Sequence, residues 1–90
     1  MADGLFVCET AGTDRARTRL FFQGPRGCEL SGVCLTPDDR TLFVSVQHPG
    51  EEEGSDFEQP STRWPDFRPD LPPRPGVVLI EHRNRAPIGV

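Results

Sequence analysis

Ninety residues bound the chain to one small domain. Apolar residues make up 34% of it, below the ~45–50% (Gly included) of a globular domain, and ten prolines with nine glycines thin the core further. The net charge is −4 and every cationic side chain is Arg, spread from Arg15 to Arg85, so no concentrated basic face marks a nucleic-acid binder.

Taken in order, Met1-Ala2-Asp3-Gly4 has neither the basic region nor the long apolar core of a signal peptide. No stretch reaches the ~18 apolar residues of a membrane span. Leu5-Phe6-Val7-Cys8-Glu9 suits a buried strand, and Thr10 to Arg15 is a polar reversal marked by Gly12 and Asp14. Residues 17–23, alternating and then aromatic, read as its antiparallel partner, with arginines guarding an edge. Gln23-Gly24-Pro25-Arg26-Gly27 breaks the sheet. Val33 and Leu35 share one face of the next strand, and Thr36-Pro37-Asp38-Asp39-Arg40 supplies a turn, with Asp39 where Gly is the easier residue. Thr41 to Val46 follows with Leu42, Val44 and Val46 on one face and Phe43 on the other, a strand covered on both sides. Residues 49–75 form a long Pro/Glu-rich loop, expected to be mobile, with Trp64, Phe57 and Phe67 as its apolar anchors. Gly76 to His82 is a further strand, and 83–90 a flexible tail. The expectation is all-β, with antiparallel strands near 4–9, 16–23, 31–36, 41–47 and 76–82 and no helix. No apolar stripe of 3.6-residue period persists.

A strand, Thr-Pro-Asp-Asp-Arg and a second strand form the type of hairpin that recurs in β-propeller blades. The wider string is more specific. Gly27-Cys28-Glu29-Leu30-Ser31-Gly32, Thr36-Pro37-Asp38, Arg40 through Glu51, Ser61 through Asp66 and Arg74 through Ile80 together resemble the carboxy-terminal portion of PhoX-type alkaline phosphatases, a family of propeller proteins. Gln47-His48-Pro49-Gly50 after a Leu-Phe-Val strand is the most specific part. The resemblance implies a partial β-propeller of about one and a half blades forming a single unit over 1–90. Residues 1–24 are then outer strands of one blade, and 27–82 the last blade with loop 49–75. It also implies a phosphomonoesterase centre containing calcium and iron. Such enzymes are exported, and with no signal peptide here the location stays open between upstream export information and the cytosol.

Glu29 is the candidate metal ligand, a carboxylate expected just before the innermost strand and suited to a hard cation. Gln47 and His48 are expected to be structural, hydrogen-bonding the loop that leaves the strand, and Trp64 to pin the long loop against the sheet. His82 reads as an ordinary surface residue. Glu51, Glu52, Glu53, Asp56 and Glu58 lack the spacing of a calcium loop and read as a solvated face. Cys8, Cys28 and Cys34 have no CxxC pairing and read as small buried hydrophobes. No catalytic residue is legible: Ser31, Ser45 and Ser61 lack a nucleophile-elbow context. The function expected is a carboxy-terminal fragment of a PhoX-like phosphatase, scaffold plus at most one metal ligand, inactive alone. A non-enzymatic β-sheet interaction module and a truncated gene product are the alternatives. Partners expected are the remainder of a propeller or a second copy of the chain, with neither nucleic acid nor membrane.

Overall fold

The computed structural model describes residues 2–88, which form five antiparallel strands in two small sheets and no helix. β1 (Gly4–Cys8) pairs with β2 (Thr18–Gln23). β3 (Glu29–Leu35), β4 (Thr41–Gln47) and β5 (Gly76–Glu81) make a three-stranded sheet in that order. The all-β, antiparallel expectation therefore holds, with two informative shifts of boundary. β2 starts at Thr18 because Ala16 sits at φ 69° and Arg17 N donates to Asp14 O at 3.0 Å, which prolongs the turn. β3 starts earlier than expected, so Glu29 lies inside the ladder opposite Gln47 and does not precede the strand.

β4 is the centre of the molecule. Leu42, Val44 and Val46 alternate on one face at 6%, 0% and 1% exposure and, with Cys28, make up the buried apolar core of the described residues. The register sets Val78 and Ile80 of β5 beside Val44 and Leu42, so the apolar face spans both strands. That face looks toward the first sheet. A groove of about 220 Å³ between them is lined by Leu5, Phe21, Val33, Leu42 and Ile88 among others. Thr41, Phe43 and Ser45, on the other face, are half-covered. One strand buried this deeply does not make a compact domain. The radius of gyration is 15.5 Å and the extents are 49 × 24 × 19 Å, whereas a compact chain of this length has a radius of about 12 Å.

The β3–β4 turn shows how the chain manages without glycine. Asp39 takes φ 59°, a region that Asp enters more readily than most residues, and its N–H donates to Thr36 O at 2.9 Å. Asp38 Oδ1 accepts from Thr36 Oγ1 at 2.7 Å and from Arg40 N at 3.1 Å. These bonds, the hydroxyl's first, hold the Asp38 carboxyl below its ordinary pKa.

Two segments expected to be mobile carry hydrogen bonds of their own. In the long loop, Arg63 donates to Leu71 O at 3.1 Å and Phe57 O at 2.9 Å, with its guanidinium 5.4 Å from the Phe57 ring centre. Arg74 grips Asp66 through two bonds of 2.8 Å, and its N–H reaches Trp64 O at 3.1 Å. In the tail, Ile88 N donates to Asp39 O at 2.7 Å and the Arg40 guanidinium to Arg85 O. Residues 83–88 thus dock on the β3–β4 turn, and residues 89–90 lie outside the described residues. The cysteines also divide: Cys28 is buried, whereas Cys8 and Cys34 are exposed, because Cys34 pairs with Phe43 on the outer face and Cys8 ends β1.

The asymmetry between the faces is testable in urea. Val44→Ala removes two buried methyl groups and is expected to cost about 2 kcal/mol. Val77→Ala, on the exposed face of β5, should stay within about 0.5 kcal/mol of the parent. Equal midpoints for the two variants would contradict the burial of β4.

Candidate functional site

The chain gathers its chemistry at the open end of the β3–β4 hairpin. Two turns meet there, one leading into β3 and one leaving β4. Gly50 N donates to Arg26 O at 2.7 Å, and His48 Nδ1 lies 2.8 Å from Gly27 O. A carbonyl can only accept, so Nδ1 carries the proton in that bond. Glu51 N closes the second turn on His48 O at 3.1 Å. The approach is close enough to demand glycine at one point: Gly27 has φ 75°, and a Cβ there would come within 2.7 Å of Glu51 N.

Glu29 is exposed at the first position of β3. Its ladder partner Gln47 donates from Nε2 to Ser31 Oγ, so an amide and a hydroxyl join the carboxylate on one face of the hairpin end. Glu51 stands 3.8 Å from His48 Nδ1. The Gly27 carbonyl raises the His48 pKa above its ordinary value, and the Glu51 and Glu29 carboxylates add to the effect. Among the described residues no three His, Cys, Asp or Glu side chains converge to hold a metal ion.

Beside the clasp an open cleft of about 340 Å³ is lined by His48, Glu51, Asp56, Phe57, Pro72 and Pro73 among others. The acidic run lining this region is not uniformly solvated. Glu52 is half-buried and its carboxylate lies 3.4 Å from the Arg26 guanidinium, whereas Glu53 is exposed. Trp64 is half-buried, and a Cβ on Gly76 would lie 3.6 Å from its ring, so the indole rests on the start of β5. Phe57 and Phe67 are exposed, at 52% and 69%. His82 is remote from the clasp and accepts from Asn84 N at 3.4 Å. Sequence reasoning singled out Glu29, Gln47 and His48 separately. Their convergence with Gly27, Ser31 and Glu51 was not foreseen, although a Gly before one strand and a His after its antiparallel neighbour is the signal that carries it.

The clasp makes a pH-dependent expectation. Because folding raises the His48 pKa, its contribution to stability is complete below the unfolded value of about 6.5. That contribution is lost as pH rises through the folded value. NMR titration should place the His48 midpoint above that of the urea-unfolded chain, and Glu51→Gln should lower it only in part, since the Gly27 carbonyl is the larger cause. A separate variant, Gly27→Ala, forces a side chain into a left-handed site against backbone and should cost more than about 1 kcal/mol. An unchanged midpoint on folding, or a neutral Gly27→Ala, would refute the clasp.

The family model of alkaline phosphatase PhoX matches residues 1–50. That stretch carries β1 to β4 and the Glu29, Gln47 and His48 end of the hairpin, and it stops where Gly50 closes on Arg26. The resembling segments at 61–66 and 74–80 lie beyond it. No curated protein and no solved structure matches the chain. Matched over more than half of its length, the chain belongs to the alkaline phosphatase PhoX family.

Proposed function

We propose that the chain supplies carboxy-terminal β-propeller scaffold to a PhoX-type phosphomonoesterase, with Glu29 as one ligand of its metal centre. The observation that carries this reading is that the family match covers the hairpin whose open end presents Glu29 beside Ser31 and Gln47. Blade-like construction supports it: three strands in sequential antiparallel order turn their apolar face toward a second small sheet. The resemblance implies calcium and iron. When bound, such ions polarise a phosphoryl oxygen and generate an oxygen nucleophile.

The chain's own residues fit that centre only in part. A carboxylate suits a hard cation, but calcium takes six to eight oxygen ligands, and no group of three candidate side chains converges among the described residues. On this reading the remaining donors belong to other parts of the enzyme, and the 90 residues alone are inactive. What this chain's residues do is positional. The Gln47–Ser31 bond and the His48–Gly27 clasp fix the hairpin end, and the fixed ladder position orients Glu29. The partner is the remainder of a propeller, whose blades would cover Phe6 and Leu20 on the first sheet and Val77 and Leu79 on the second, all more than half exposed.

A second reading, a non-enzymatic β-sheet module that binds other chains, draws on the same exposed apolar side chains and on the elongated shape. Phosphomonoester hydrolysis separates the two. In an enzyme with its propeller complete, Glu29→Gln should lower turnover and calcium response by at least about tenfold, since even groups behind the ligands are worth 10–100-fold. Glu53→Gln, on the exposed loop, should match the parent. Equal activity and equal calcium response in both variants would leave this stretch as scaffold or favour the second reading.

A further inference from the structure

We propose that the outer edge of β5 is a self-recognition edge, at which two copies of the chain pair β5 with β5 antiparallel about a two-fold axis through Val78. The inference concerns the 90-residue chain as it stands and is independent of the phosphatase reading.

Exposed edges normally carry a device against pairing, such as a charge, a bulge or a proline. Three edges here have one. β1 is irregular against its partner between Leu5 and Phe6 and is flanked by Asp3 and Glu9. β2 carries Arg19, whose guanidinium lies 3.4 Å from Glu9. β3 is bulged between Ser31 and Cys34, begins with Glu29, and has the Leu30 N–H already donating to Asp3 Oδ2 at 3.1 Å. β5 is the least guarded: it has Glu81 at its last position and Pro75 before its first, with no bulge between them. Its register with β4 is regular over all six residues, and Gly76-Val77-Val78-Leu79-Ile80 contains neither charge nor proline. Among the described residues, nothing outside its own sheet hydrogen-bonds to the backbone of 76–81. Val77 and Leu79 stand 68% and 53% exposed beside that open edge.

The strand also complements itself. A two-fold axis normal to the sheet keeps each side chain on its own face, so the axis must pass through a residue. Through Val78, it sets Val78 against the partner's Val78, Val77 against the partner's Leu79, and Gly76 against the partner's Ile80. The two exposed apolar residues then cover each other, and the partner's Ile80 meets Gly76 beside the Trp64 indole. An axis through Leu79 would set Val77 against a Glu81 carboxylate, and one through Val77 would set Leu79 against Pro75, which has no N–H to give the ladder. Only the Val78 register pairs apolar residues from 76 to 80. An isologous pair of this kind closes as a dimer with a continuous six-stranded sheet.

Light scattering across a concentration series, with hydrogen exchange at each end of it, tests the pairing. The expected result is a dimer in which alternate amides of 76–81 gain protection as the concentration rises, because edge pairing adds main-chain hydrogen bonds. On a Cys8→Ser/Cys34→Ser background, Val78→Cys should crosslink to itself, whereas Val77→Cys and Leu79→Cys should crosslink only when mixed. Leu79→Lys should shift the chain to monomer mass with an unchanged far-ultraviolet spectrum. A monomer at every concentration would overturn the proposal. So would a dimer whose β5 amides stay unprotected, the mark of face-to-face docking, or crosslinking of Val77→Cys alone.

Discussion

Everything in this molecule hangs from the burial of one side of β4. Leu42, Val44 and Val46 are the three strand residues taken almost wholly out of water. Each neighbouring element reaches order by attaching to that strand. β3 comes by way of the Thr36–Thr41 turn, β5 returns after a long excursion, and the first sheet lies over the apolar face. Excursion length is a mild obstacle, since each doubling of a loop adds only about 0.6 kcal/mol of closure entropy. The harder requirement is a β5 that fits the face, and Val78 and Ile80 meet it by falling in step with Val44 and Leu42.

The same strand positions the polar end of the hairpin. β4 delivers Gln47 to Ser31 and His48 to Gly27 as it runs out of its ladder. The buried stripe that fixes β4 thereby fixes the ladder position of Glu29 opposite Gln47. A residue on a strand whose register is set by core packing is held more sharply than one on a free loop. The boundary of the family match at Gly50 coincides with the residue that closes this arrangement.

The strands were legible because their side chains alternate or cluster in ways that only a pleated backbone accommodates. Leu42-Phe43-Val44-Ser45-Val46 located the centre of the sheet without help. The limits of elements were less legible. Glu29 reads as a loop residue by type, yet its pairing with Gln47 outweighs that weak preference. The contacts within residues 48–75 were not legible at all, because they join Arg63 and Arg74 to carbonyls and a carboxylate many positions away. Composition that is rich in Pro and Glu looks the same whether or not such contacts form. The cysteines misled for a related reason: residue type suggested burial for all three, but the face each occupies decides, and only Cys28 lies inward.

The guanidinium bracing of the long loop gives the protein two kinds of order with different thermal characters. The β4 stripe is apolar, so exposing it raises the heat capacity and bends the stability curve. The loop holds itself by Arg63 on Leu71 O and Phe57 O and by the Arg74–Asp66 fork, and Phe57 and Phe67 already face solvent. Opening it bares the half-buried Trp64 but none of the β4 stripe, so its heat-capacity change is the smaller of the two. Guanidinium ions, which compete for the same carbonyls and carboxylate, would loosen that loop ahead of the sheet, whereas urea would strain both together.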